Sequence, residues 1–442
     1  MDQAAHPSPV LQTVQAHRRG KAVGLYSVCC SHPTVLRAAM TVAAQYGTPL
    51  LVEATSNQVD QFGGYTGMTP AAFRDYVHRL AQEKGFPADR LVLGGDHLGP
   101  NAWQAQDAAS AMAHAEVLVG AYAAAGFHKI HLDCSMRCAG DETVLGDDTV
   151  AARSARLAAV AEQAAARAGS PPPVYVIGTE VPVPGGEASL EQALAVTAPQ
   201  AAARTLDVHR RAFAAAGLHA AWQRVIAMVV QPGVDFDQAN VQHYDAAAAR
   251  DLSAFVAGQP GLVFEAHSTD YQRESALHEM VRDHYAILKV GPAATFALRE
   301  GFLALCQIEE ALLGKDAASR LMEVLDATML AKPQHWQKHY QGSADEQRLM
   351  RRYGLSDRCR YYWGEPEVAA AVSRLFANLA GRRIPLPLLS QHLPEQFLAV
   401  LQGELAAEPQ ALLEHKIGRV LAQYARACSA NAAAPHPAAA FC

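Results

Sequence analysis

Residues 90–103, RLVLGGDHLGPNAW, begin as a run of apolar residues and end in glycines, an acid, an imidazole and a polar loop. A short apolar run bounded by turn residues reads as a buried strand. Asp96 and His97 then fall where that strand passes into a loop. Seven more runs have the same form: AVGLYSVCC from Ala22, PLLVEATS from Pro49, KIHLDCSM from Lys129, VYVIGTEV from Val174, RVIAMVVQPG from Arg224, LVFEAHSTD from Leu262 and AILKVGP from Ala286. Between them PAAFRDYVHRLAQEKG, AMAHAEVLVGAYAAAG and AAARTLDVHRRAFAAAG carry helical periodicity, and the last two end in glycine just before the next run.

Successive runs start about 25 to 50 residues apart, room for a crossover helix each time and hence for parallel pairing. Eight such units predict an α/β fold, a (β/α)8 TIM barrel over residues 21–300. No G-x-G-x-x-G follows an early strand, which weakens a dinucleotide-binding reading. Residues 1–20 form an N-terminal segment. Beyond Gly301 the helical stretches FLALCQIEEALLGKDAASRLMEVLDATMLAK and EVAAAVSRLFANLAG run without strands, predicting a helical extension over 301–428 packed on the barrel. The tail 429–442 reads as disordered.

The bulk properties exclude several roles. The chain has 442 residues, half of them hydrophobic, with a formal charge of −6 and a pI near 6.3. No basic surplus exists to hold nucleic acid or an anionic membrane surface. Neither a long apolar span nor a signal-peptide core is present, so a cytoplasmic location is expected. The eight cysteines are scattered, Cys29 and Cys30 are adjacent, and Cys134 and Cys138 lack a second paired cluster. They read as reduced packing residues.

In a parallel barrel, chemistry gathers at the C-terminal ends of the strands. The polar residues there include Ser27, Glu53, Asp96, His97, Asn101, Asp133, Glu180, Gln231, His267, Asp270 and Lys289. Charge on an apolar strand is costly unless paired or metal-bound, so their convergence is informative. His97, Glu180, Gln231 and His267 come from four runs and make an ordinary donor set for a divalent ion, with zinc expected and manganese, cobalt or nickel as alternatives. The competing view makes each histidine a satisfied core residue. His131 alternates with Asp133 and is read as structural, Asp133 as a second contact nearer the rim.

Asp96 and His97 raise a difficulty, because neighbours on a regular strand face opposite sides. Only a turn in the backbone, suggested by Gly94, Gly95, Gly99 and Pro100, lets both reach one pocket. With His97 on a metal, Asp96 suits a general base. The loop QFGGYTGMTP from Gln61 offers Tyr65 as a contact, although a turn into the next helix explains most of it. The segment GLSDRCRYYW, Gly354–Trp363, is dense in Arg and Tyr and can reach a sugar or phosphate, or else forms a surface loop anchored by aromatics.

Taken together, EATSNQVDQFGGYTGMTP, GGDHLGPNAWQ, KIHLDCSM, IGTEVPVPGGEAS, VVQPGVDFD, EAHSTDYQ, LKVGPAATFALRE and SDRCRYYW resemble the GatZ/KbaZ type of tagatose-bisphosphate aldolase subunit, from about residue 12 to 428. The resemblance implies a class II, metal-dependent aldolase barrel. Asp96 then resembles the catalytic acid/base, and His97, Glu180 and His267 the metal-site residues. Gln231 stands where catalytic relatives have His. Their phosphate-binding Gly/Ser loop is here Ser268–Tyr271, STDY, where Asp270 would repel an anion, making a bisphosphate a poorer substrate than a monophosphate or free ketose.

The family implies two roles, a ketose 4-epimerase or a non-catalytic partner of a separate aldolase subunit; a homo-oligomer is left open. The preferred expectation is a metal-dependent retro-aldol/aldol enzyme that epimerises C4 of a ketohexose or its 6-phosphate, between the tagatose and fructose series. Asp96, Asp133 and Glu180 are its candidates for proton transfer. Ser27, Glu53, Asn101, Tyr65, Gln231, Asp270 and Lys289 are its candidate substrate contacts. True cleavage of tagatose bisphosphate is a further alternative.

Overall fold

The computed structural model describes residues 8–178 and 194–429. All eight apolar runs are strands: β1 (Leu25–Val28), β2 (Leu50–Thr55), β3 (Leu91–Leu98), β4 (Lys129–Leu132), β5 (Val174–Ile177), β6 (Val225–Val229), β7 (Val263–Ala266) and β8 (Tyr285–Val290). Each pairs in parallel with its neighbour in sequence, and β8 returns to β1, closing a barrel. A two-stranded ribbon, Asp235–Phe236 with Val241–Gln242, lies in the loop after β6. None of the described helices is long and apolar enough to cross a membrane.

Local sequence sets the element ends. In Pro70–Lys84 the Thr69 hydroxyl accepts from the Ala72 N–H and Pro70 opens the first turn, where its missing donor costs nothing. The strand residues are buried almost throughout, because helices cover the outside and side chains fill the inside.

Alternation along the strands builds the interior in layers. At the N-terminal end Leu25, Leu51, Val92, Val174, Val263 and Ile287 bury together with Val10 and Val14 of the helix Pro9–Arg18, which plugs the barrel. Two residues further on come Ser27, Glu53, Glu265 and Lys289, joined by Lys129, all buried. The next layer carries Asp96, His131 and His267. Apolar below and ionic above, the core directs its charge toward the strand C-termini.

The expected boundary at residue 301 falls inside one continuous helix, Pro292–Leu313, so no domain break exists there. Residues 302–332, read as one helix, divide instead: the first helix stops at Gly314, and a second runs over Leu321–Ala331. More consequentially, the final helix Pro409–Cys428 packs against β1 and between Glu274–Arg282 and Pro33–Tyr46. The Gly24 N–H donates to the Cys428 carbonyl at 2.9 Å. The extension therefore supplies part of the helical ring. Residues 430–442, most of the predicted tail, lie outside the described residues.

Candidate active site

The strand–loop seam at Asp96–His97 is a bulge. β3 and β4 pair Gly94 with Lys129 and Gly95 with Ile130, but the next pair is Leu98 with Leu132, so β3 spends one extra residue there. His97 takes a left-handed backbone, φ +49°. A non-glycine residue adopts this rarely and at a cost. Its effect is to bring both Asp96 and His97 to the same cavity. The glycines around the bulge permit close approach: a Cβ on Gly94 would stand 2.6 Å from a Glu53 carboxylate oxygen, and one on Gly99 only 1.7 Å from the Asp133 carbonyl.

Donor atoms of Asp96, His97, His131 and His267 all lie within 4.8 Å of one another. The three imidazoles have centroid separations of 4.9 Å (His97–His267), 5.1 Å (His97–His131) and 5.3 Å (His131–His267). Each has one nitrogen on a carboxylate. Asp133 Oδ2 is 2.8 Å from His97 Nδ1, Asp96 Oδ1 is 3.0 Å from His131 Nδ1, and Glu265 Oε1 is 2.9 Å from His267 Nε2. Such pairing fixes ring orientation and leaves the opposite nitrogen for a cation. Among the described residues His131 Nε2 is buried and meets no hydrogen-bond partner, which leaves it able to ligate a cation.

Beneath this group lies a closed ionic layer. Lys129 Nζ is 2.6 Å from both Glu53 and Glu265, and Lys289 Nζ is 2.9 Å from Asp96 and also bonded to Glu53. Burial lowers the Lys289 affinity for its proton, but Asp96, Glu53 and Glu265 outweigh this and hold it well above its usual range. Burial likewise pushes Asp96 up, yet His97 and Lys289 carry it well below the ordinary carboxylate value. Burial lowers His267 to about 4. His97 and Lys289 thus hold Asp96 ionised, and burial holds His267 neutral against the pull of Glu265, the forms in which each can ligate.

The group opens into a cavity of about 800 Å³ lined by Asp96, His97, His267, Asn101, Tyr65 and Lys289, with Asp270 at its edge. Other expectations need correction. Ser27 and Glu53 are fully buried below the floor and bonded to each other, so they are not substrate contacts. Gln231 turns its amide oxygen onto the N–H groups of Gly233 (2.7 Å) and Val234 (3.0 Å), capping the turn after β6, and both acceptor sites are used there. Asp133 spends one oxygen on His97 and the other on Ser135, and so works through His97. Asp270 Oδ1 accepts from Gly291 and Ala293 at the start of Pro292–Leu313, a helix end where an external anion would otherwise bind. Glu180 lies outside the described residues.

His131, set aside as structural, is the third imidazole, entering from β4 rather than β6. The available signal was spacing: Lys129 and His131, like Glu265 and His267, sit two apart on inward faces of apolar strands. A far wall was also unforeseen in detail. Gln334, His335, Lys338 and His339 join Arg358, Arg360 and Tyr361 of the Arg/Tyr segment over the barrel mouth.

A closed parallel barrel whose inward charges rise to imidazoles at the strand C-termini is built as a (β/α)8 enzyme is built. Residues 10–429 match the family described as D-tagatose-1,6-bisphosphate aldolase subunit GatZ/KbaZ-like, and the chain belongs to that family. It is similar, at 50% identity and a TM-score of 0.85, to a protein from Sinorhizobium meliloti 1021 described as a "probable tagatose 6 phosphate kinase", over 92% of this chain and 100% of the other. The YdjI aldolase from Escherichia coli K12 aligns over 80% of this chain and 94% of its own, at 11% identity and a TM-score of 0.38.

Proposed function

We propose that the chain is a metal-dependent retro-aldol/aldol enzyme that inverts C4 of a ketohexose or its 6-phosphate in the tagatose and fructose series. The observation that carries this reading is the convergence of three carboxylate-oriented imidazoles and Asp96 at the floor of one cavity. His97, His131 and His267 would hold a divalent ion, zinc first among the candidates. When bound, such an ion supplies the Lewis acidity that lets a base as weak as Asp96 accept a hydroxyl proton.

Asp96, kept ionised by Lys289, takes the proton of the C4 hydroxyl as the C3–C4 bond breaks, and returns it to that oxygen after re-addition to the other face of the aldehyde. Asn101 and Tyr65 border the space in which the aldehyde fragment turns. Retention of the fragment until it is re-attacked is what separates epimerisation from net cleavage. The tagatose sugars named for the family and for the Sinorhizobium relative support this substrate class.

The test is ketose interconversion by the chain purified alone. Activity that disappears with a chelator and returns with a divalent ion supports the reading. A second reading, a subunit supporting a separate aldolase, draws on the family's description and on Gln231, whose oxygen is committed to a turn. An inactive chain that raises the stability or activity of an added class II aldolase would favour it.

A further inference from the structure

Arg358 is buried, 4% exposed, and lines the same cavity as His97 and His267 from the helical extension. Its Nη1 donates to the His335 carbonyl at 3.0 Å, while among the described residues Nε and Nη2, also buried, meet no acceptor in bonding geometry. These two nitrogens share one edge of the guanidinium, the edge that grips two oxygens of a carboxylate or phosphate side on. Leaving charged donors buried and unpaired is costly, so a structure that keeps them so points to a ligand that completes them.

The surroundings agree. Lys338 and Arg360 line the same wall, and among the described residues neither they nor Arg358 pairs with a carboxylate. Arg360 instead bonds the Ser356 and Asp357 carbonyls and the Tyr361 hydroxyl. Burial together with Arg358, Lys338 and Arg360 lowers His339 to about 4, the mark of a positive local field. The helix end that could have bound an anion in this cavity is filled by Asp270, whose carboxylate also feels the Arg360 charge.

We propose that Arg358, with Lys338 and His339, forms an anion subsite on the helical extension that takes the phosphate monoester at the end of an open-chain ketose remote from the histidine group. The subsite relocates phosphate recognition from the barrel loops to the extension. It rests on the ketose reading above for the identity of the sugar, but not for the anion.

Calorimetric titration of the full-length protein tests it. Orthophosphate on chelator-treated protein reads the subsite without any metal. D-tagatose 6-phosphate against D-tagatose then reads its contribution to the sugar. The phosphorylated ketose should bind at least about 100-fold tighter, R358Q should lose about 10- to 100-fold for orthophosphate and the sugar phosphate while leaving free tagatose unchanged, and K338A should lose about 5-fold, as charge-assisted hydrogen bonds are worth. Equal binding of the two sugars overturns the proposal, as does a preference for a carboxylate-ended sugar. Should R358Q fail to fold by circular dichroism, an unchanged phosphate affinity in K338A is enough to overturn it. Phosphate binding that persists in a protein without epimerase activity would sink only the proposed reaction.

Discussion

His131 shows how much rides on one imidazole. Its Nε2 has no partner among the described residues and its Nδ1 is held by Asp96, so replacement removes a donor and also releases Asp96. His131→Gln should lower bound metal per chain and ketose interconversion by at least about 100-fold, with the fold retained. Elemental analysis beside a sugar NMR assay checks both. Asp270 makes a different prediction. Burial, opposed by the N–H groups of Ala293 and Gly291, raises its carboxyl from 3.8 to about 6. The native state therefore holds this proton more tightly than the unfolded chain, and raising the pH from 4 to 6 lowers stability. Asp270→Asn removes that dependence, and the gap between variant and wild type should change by about 2–3 kcal/mol across the window. Parallel denaturant titrations at several pH values would measure it. Among residues, those at strand ends were legible in the sequence because position alone marks them. Ser27 and Glu53 misled because an inward strand position does not say whether a side chain stands above or below the floor. Gln231 misled because its turn bonds depend on where the chain goes next.

The bulge in β3 is the element on which the site turns. All eight strands could be read from apolar runs, since burial on both faces writes itself as uninterrupted hydrophobicity. The bulge could not, for a left-handed histidine leaves no compositional trace; only the glycines beside it hinted at it. Gly99→Ala tests its rigidity. A Cβ placed 1.7 Å from the Asp133 carbonyl must push β3 and β4 apart, and overpacking of this kind costs about 1–3 kcal/mol or more. Because Asp133 orients His97, metal affinity should fall along with the melting temperature, and the two readouts together distinguish displaced strands from a general loss of folding. At the opposite end the helix Pro9–Arg18 closes the barrel, and His17 bonds both the Val23 carbonyl (2.8 Å) and His284 (2.9 Å). Burial lowers the proton affinity of His17. The native state so binds fewer protons than the unfolded one, and this contribution is present above pH 6.5 and lost as the pH falls below it. His17→Gln should flatten the acid side of the stability profile measured by thermal melts.

For the molecule as a whole, the extension both completes the helical ring and lines the cavity. The sequence reading places it on the barrel but draws a boundary inside the helix Pro292–Leu313, because the strands stop there while the chain goes on covering the barrel. Deleting residues 409–428 should not trim an appendage: it strips the cover from β1, takes the buried Leu412, Leu413, Ile417 and Leu421 out of the core, and uncovers Tyr26 and Val42. We expect such a protein to aggregate or to lose cooperative melting, whereas an isolated appendage would leave the transition intact. Synthesis on the ribosome adds a last consequence. β1 leaves the ribosome long before Pro409–Cys428 and must wait for that helix before its outer face is shielded, so the nascent cylinder stays open along that seam until the helix has been made. Chaperone occupancy during elongation should therefore persist until Pro409–Cys428 has emerged rather than end when β8 is complete.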